Sequence, residues 1–84
     1  MRRAPPAWGE EAVGVRRFVA TLDNEVDAAR ARRRFEAVGY VAGAVGRVAV
    51  AYAPLRARPV VESILRDASS KYILSVELPR KRSR

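Results

Sequence analysis

Cysteine and histidine are both absent from this 84-residue chain. Their absence excludes disulfide bonds, thiolate chemistry and the usual zinc sites. A nucleophilic mechanism would then need a serine or threonine with a lysine base, and the candidates near each other in sequence are Ser69, Ser70 and Lys71. Serines beside a helix end are usually capping or solvated groups. We therefore assign no catalytic residue and no cofactor, and expect a protein that is not an enzyme.

Long hydrophobic runs are also lacking. The longest apolar stretch, residues 37–46, is too short to span a bilayer, and the start MRRAPPAW has no apolar signal core. We expect a cytoplasmic protein without a membrane segment. Glutamine is absent, and asparagine and methionine occur once each. This depletion is seen in proteins of hyperthermophiles, whereas GC-rich coding would also enrich Ala, Arg, Gly and Val, so a thermophile source and biased coding both stay open.

Proline, glycine and charge divide the chain into three parts. Residues 1–14 hold two prolines and two glycines without periodicity, which predicts a flexible segment. Residues 15–78 are interpreted as a single α+β domain, and residues 79–84 as a basic tail. A domain of roughly 60 residues buries only about 60% of its unfolded surface. We therefore expect a homodimer or a fold that a partner stabilises.

The formal net charge of +8 is unevenly placed: residues 79–84 carry +4, and residues 15–78 hold eleven basic and seven acidic side chains. Exposed arginines and lysines can neutralise nucleic-acid phosphates. On the outer face of the first predicted helix, Arg30 and Arg33 are candidate nucleic-acid contacts, although a solvated helix with carboxylate partners explains the same pattern. The other candidates lie in the tail: Arg80, Lys81, Arg82 and Arg84.

Periodicity predicts the first four elements. Alternation predicts a strand over residues 15–22, and the apolar spacing that follows predicts a helix capped by Asp23 or Asn24 and stopped by Gly39. A valine-rich stretch interrupted by Gly46 predicts a hairpin with strands at about residues 40–45 and 48–53. Pro59 suits the first turn of a second helix.

The stretch after Ser69 fits two structures. Residues 72–78 alternate like a half-buried strand, yet Val61, Leu65, Tyr72 and Val76 also continue one helical face. Glycine and proline are absent between Pro59 and Pro79, whereas a reversal of chain direction usually needs one of them. This absence favours a single helix to about residue 78.

Three further patterns have a structural explanation. The carboxylates Asp23, Glu25 and Asp27 lie at a helix N-terminus, where acidic residues are stabilising, so no metal site is predicted. The glycines of the hairpin lack a following GK[ST] motif and are interpreted as strand or turn residues. The aromatic residues near the predicted sheet are expected to pack in the core and not to stack on bases: Phe18, Tyr40 and Tyr52.

The element order and one motif resemble a known family. The entry TLDNEVDAARARRRFEAV and the segment at residues 57–66 are similar to the first and last helices of the small dimerising subunit of the KEOPS complex, the CTAG/PCC family. Ala57 stands where that family has leucine, and Glu62 where it has asparagine. The residues at the motif positions of the last helix are Arg58, Val61, Glu62, Ser63, Leu65 and Arg66.

The resemblance implies a β-α-β-β-α fold, with a three-stranded antiparallel sheet, two helices on one face and a long last helix. It implies a non-catalytic dimerisation subunit that pairs two copies of the catalytic threonylcarbamoyl-transferase subunit of KEOPS, in the assembly that makes N6-threonylcarbamoyladenosine in tRNA. Basic side chains would then help to hold tRNA. The alternative is a ferredoxin-like β-α-β-β-α-β module, which stands alone and binds nucleic acid or associates with the ribosome.

Overall fold

The computed structural model describes residues 14–79, so the predicted flexible segment before Gly14 and the basic tail after Pro79 lie outside the described residues. The elements are β1 (Val15–Leu22), α1 (Glu25–Ala37), β2 (Val41–Val45), β3 (Val48–Pro54), α2 (Arg58–Ala68) and β4 (Tyr72–Glu77), with a single 3-10 turn at Leu55–Ala57. The mixed α+β class is confirmed. The prediction of three strands is wrong, because a fourth strand follows α2.

The local signals for the first helix and the hairpin are confirmed. Asn24 caps α1, since the amide of Asp27 donates to its side-chain oxygen at 2.9 Å. Gly39, with a φ of 97°, lies in the left-handed region just after this helix. Gly46, with a φ of 58°, is the first of the two residues between β2 and β3. A type II′ hairpin turn places glycine at that position.

The chain turns at Ser69 instead of continuing as a helix. Ser69 has an extended backbone (φ −151°, ψ 148°) and a buried side chain. Its hydroxyl donates to the carbonyl of Lys71 at 2.9 Å and accepts from the amide of Asp23 at 3.3 Å. These bonds satisfy main-chain groups at the reversal, so the turn needs neither glycine nor proline.

The residues after the turn form the edge strand β4. It pairs with β1 in antiparallel orientation, with Leu74 opposite Ala20. The predicted helix to residue 78 is therefore wrong. Tyr72 and Val76 fit both the helical and the strand period. In the strand, these side chains pack against the core, as they would have in the predicted helix.

The sheet has the order β2-β3-β1-β4, and all neighbouring strands are antiparallel. With the element order β-α-β-β-α-β, this is the ferredoxin-like arrangement. Both helices lie on one face, where Phe18, Phe35 and Leu65 are buried. Eight of the fourteen buried apolar residues within residues 14–79 are alanine. Because alanine buries little area, this core contributes less hydrophobic free energy than its residue count suggests.

The Ser69 turn generates a prediction about stability. Ser69→Ala removes both hydrogen bonds of a buried hydroxyl and leaves the amide of Asp23 and the carbonyl of Lys71 without that partner. We expect a loss of about 1–3 kcal/mol of unfolding free energy, measured by urea denaturation. The control Ser70→Ala changes an exposed neighbour and is expected to stay within about 0.5 kcal/mol of the parent. Equal stabilities of the two variants would contradict the role given to Ser69.

Candidate assembly surface on the open face of the sheet

The face of the sheet that points away from the helices is here called the open face. Strand alternation and the pairing registers define it, since residues opposite each other on neighbouring strands share a face. Val19 is opposite Val50 and Ser75, and Tyr52 is opposite Val41 and Arg17. The open face carries, from β2 to β4, Val41, Gly43, Val45, Val48, Val50, Tyr52, Arg17, Val19, Thr21, Ile73, Ser75 and Glu77.

The larger side chains of the hairpin lie on this uncovered face. In β3, Ala49, Ala51 and Ala53 point to the helices and are buried, whereas Val48 and Val50 point away. In β2, the two alanines pack against the core, whereas Val41 and Val45 are 72% and 83% exposed. Soluble domains usually place bulky β-branched residues inside and small or polar residues outside. The reversed pattern leaves an uncovered layer of valines on the open face.

Gly43 gives the open face its shape. A shallow depression of about 410 Å³ lies over the hairpin, and its lining includes Gly43, Val45, Val50 and Tyr52. An added Cβ at Gly43 would meet no atom within 4 Å, so the glycine leaves an opening in the layer of valines. Contiguous exposed apolar surface with such a concavity is typical of interaction sites.

One ion pair neutralises the charges on this face. Arg17 donates from Nη2 to Oε1 of Glu77 at 2.6 Å and from Nε to the same oxygen at 3.1 Å, across the β1–β4 register. The hydrogen bond to Glu77 is the main reason why the pKa of Arg17 is raised above its ordinary value, and Tyr52 adds to the effect. The arginine therefore offers little unneutralised charge to a phosphate.

The arginines of α1 mostly have carboxylate partners. Arg30 contacts Asp27 at 3.2 Å and also donates to the carbonyl of Ala68 at 3.3 Å. Elsewhere on this helix Arg32 bonds Glu36 at 3.0 Å, and Arg34 bonds Asp67 of α2 at 3.2 Å. Arg33 is exposed, as predicted. Arg30 thus contributes to the packing of α1 against α2, while the predicted tail contacts lie outside the described residues.

The motif residues of α2 divide between its two faces. Val61 and Leu65 are buried in the core. On the outer face Glu62 accepts from Arg58 at 2.8 Å and lies 3.9 Å from Arg66, at helical i,i+4 spacing. At these motif positions Val61 and Leu65 therefore pack in the core, whereas the charged residues form ion pairs along the helix.

A second concavity at one end of the sheet was missed from the sequence. This end groove, of about 520 Å³, brings together Arg47 of the hairpin turn, Arg66 of α2 and Lys71 before β4, with Asp23 also in its lining. Arg47 is fixed at β1, because its Nε donates to the carbonyl of Leu22 at 3.2 Å. Within residues 14–79 neither Arg47 nor Lys71 forms an ion pair. The three cations come from separate parts of the sequence, so no local sequence motif predicts that they lie together.

The described residues show no other chemical site. Among residues 14–79 no group of three or more acidic side chains could hold a metal ion, and no helix is long and apolar enough to cross a membrane. The Ser69 hydroxyl bonds the main chain of Lys71 and not its amine. Comparisons with models of known protein families, with curated protein sequences and with solved structures found no match.

The opposite packing of the two faces can be tested on adjacent residues of β3. Ala51→Val adds volume against the helices at a fully buried position. We expect this overpacking to cost about 1–3 kcal/mol of unfolding free energy. Val50→Ala, on the open face, is expected to cost less than about 1 kcal/mol at low protein concentration. Urea denaturation measures both. A larger cost for Val50→Ala would contradict the assignment of faces.

Proposed function

We propose that this chain is a non-catalytic assembly module, which forms a homodimer and presents its open face for binding protein. The valine-rich open face is the observation that carries the proposal, because an alanine-rich core and an uncovered aliphatic sheet are more stable with a partner than alone. The predicted domain has only 64 residues, and a domain of this size buries a small core, which also favours association with a partner.

The open face is poorly suited to base stacking. Sheets that read single-stranded RNA use several aromatic side chains on the exposed surface. Here Tyr52 is the aromatic residue of the open face, while Phe18 is buried and Tyr40 and Tyr72 pack against the core. Aliphatic valines provide apolar contact without a stacking plane, which favours a protein partner over nucleic acid at this face.

The narrower form of the proposal is the dimerisation subunit of KEOPS. The resemblance of residues 57–66 and of the first helix supports it, and the homodimer is common to both forms. The fourth strand departs from the architecture that the resemblance implies, so this form is supported by the two helices and not by the complete sheet. Its partner would be the catalytic threonylcarbamoyl-transferase subunit, with tRNA held by basic side chains.

Light scattering and thermal melting at several protein concentrations test the general proposal. A dimer is expected, with a melting temperature that rises with protein concentration because association stabilises the folded state. The same sample mixed with the KEOPS catalytic subunit tests the narrower form by co-elution. A monomeric mass with a concentration-independent melt would overturn the assembly module, whereas a dimer that ignores the catalytic subunit would overturn only the KEOPS assignment.

The end groove favours nucleic-acid binding as a second candidate function. Its three cations surround one concavity, and Arg47 and Lys71 have no carboxylate partner within residues 14–79. Such cations can bind phosphates and release counterions. Thr21 and Ser70 also line this groove, so hydroxyl groups are available beside the cations.

The salt dependence of tRNA binding, followed by fluorescence anisotropy, tests this second function. The double variant Arg47→Ala/Lys71→Ala should weaken binding and reduce the slope of log K against log salt by about 1.5, since each lost phosphate contact accounts for about 0.7–0.9. Arg33→Ala/Arg56→Ala removes the same charge from exposed positions outside the groove. Equal slopes for the two double variants would show that the groove has no particular role.

A further inference from the structure

The two edges of the sheet differ in how they are protected. Unpaired strand edges invite pairing with other chains, and proteins usually protect them with charge, proline or bulges. The edge strand β4 follows Lys71 and carries Ser75 and Glu77. The edge strand β2 has the sequence VAGAV, with neither charge nor proline. Its backbone edge is therefore available for β-sheet pairing.

The sequence of β2 is the same in both directions. If two copies of this strand lie antiparallel with Gly43 opposite Gly43, Val41 of each copy faces Val45 of the other and Ala42 faces Ala44. Every cross-strand pair then joins identical residue types, and a two-fold axis through Gly43 relates the two Val41–Val45 pairs to each other. Valine pairs would form on the open face and alanine pairs on the helix side. No like charges oppose each other within the paired strands.

We propose that two copies of this chain associate through β2, antiparallel about a two-fold axis at Gly43, into one continuous sheet with four strands from each copy. This inference rests on the homodimer of the proposed function and specifies its interface. The axis stands perpendicular to the sheet, so both sets of helices lie on one side and both open faces on the other. The dimer therefore presents one wide apolar face for a further protein partner.

Self-association explains the exposure at this edge. Val41 and Val45 are among the most exposed large apolar residues of the described chain, at 72% and 83%. Pairing places each beside a valine of the second copy and also uses the main-chain groups of the edge that have no strand partner within residues 14–79. An unrelated extended peptide could use the same main-chain groups, whereas a second β2 also places valine beside valine and alanine beside alanine without any charge at the edge.

Charge substitutions at the edge test both the interface and its register. Val41→Lys/Val45→Lys places lysine opposite lysine in two cross-strand pairs, whereas Val41→Lys/Val45→Glu places lysine opposite glutamate in both. We expect the dissociation constant of the dimer to rise at least about tenfold in the first variant and to stay within about threefold of the parent in the second. Sedimentation velocity measures both constants, and both valines are exposed enough to leave each protomer folded.

Net charge needs a separate control, because the lysine pair makes a basic protein more basic. Val41→Glu/Val45→Glu moves the net charge of +8 toward neutrality but still places like charges opposite each other. This variant should dissociate as the lysine pair does. If instead it dimerises like the parent, these two positions lie outside the interface and the β2 edge is wrong. If the matched and the opposed variants dissociate equally, the edge register is wrong and packing between open faces explains the dimer.

A disulfide provides an independent test in a chain that has no cysteine. Gly43→Cys introduces a side chain that meets no atom within 4 Å in the protomer and would lie opposite its copy at the two-fold axis. Antiparallel partners bring Cα atoms to about 4.5–5.5 Å, within the range that disulfides span. Mild oxidation should therefore give covalent dimers of Gly43→Cys, and not of the control Ser75→Cys on the opposite edge.

The outcomes of these experiments distinguish a failure of the β2 interface from a failure of the proposed homodimer. A parent protein that is monomeric at all concentrations overturns the homodimer and the β2 interface together. A dimeric parent whose Gly43→Cys variant does not cross-link, and whose lysine pair still dimerises, overturns the β2 interface alone. Cross-linking through Ser75→Cys instead would move the interface to β4.

Discussion

The alternation of alanine and valine along β2 and β3 is the constraint on which the rest of the structure depends. Strand geometry sends successive side chains to opposite faces, so this alternation sorts the two residue types completely. Alanines such as Ala49 and Ala51 are buried on the helix side, and the valines accumulate on the other side. Bulky aliphatic residues on an uncovered face are the feature on which the proposed assembly rests.

The charged residues are consistent with this arrangement. Arg17 and Glu77 neutralise each other on the open face, and the paired arginines of α1 fix the two helices against each other. At the end groove, Arg47 and Lys71 have no carboxylate partner within residues 14–79. The apolar open face and the basic end groove are thus separate surfaces, for which we propose protein contact and phosphate contact respectively.

The elements that could be predicted from the sequence are those with clear start and stop signals. For β1, α1 and the hairpin, period-two alternation, the Asn24 cap and the glycines at positions 39 and 46 all agreed with the structure. It failed at β4, because Tyr72 and Val76 satisfy the helical and the strand period together. The turn before this strand depends on the buried hydroxyl of Ser69, whose main-chain partners are set by tertiary structure.

The candidate sites were less accessible to sequence reasoning. Both faces of β3 are apolar, so only the positions of the helices reveal that the valine face is uncovered. The end groove joins residues from the hairpin, α2 and the start of β4, which no local pattern relates. The palindromic sequence of β2 can be read from the sequence alone. It bears on association only because the strand order places β2 at an edge of the sheet.

Carbene footprinting with residue-level mass spectrometry tests the central claim most directly, because it reports the exposure of aliphatic side chains in the assembled protein. Labelling is compared between dilute and concentrated samples. The account predicts that Val41 and Val45 become protected on concentration, while Val26 and Leu55, which are exposed outside the open face, stay equally labelled. Unchanged labelling of both open-face valines, or protection of Val26 in their place, would contradict the claim that this face and its edge form the assembly surface.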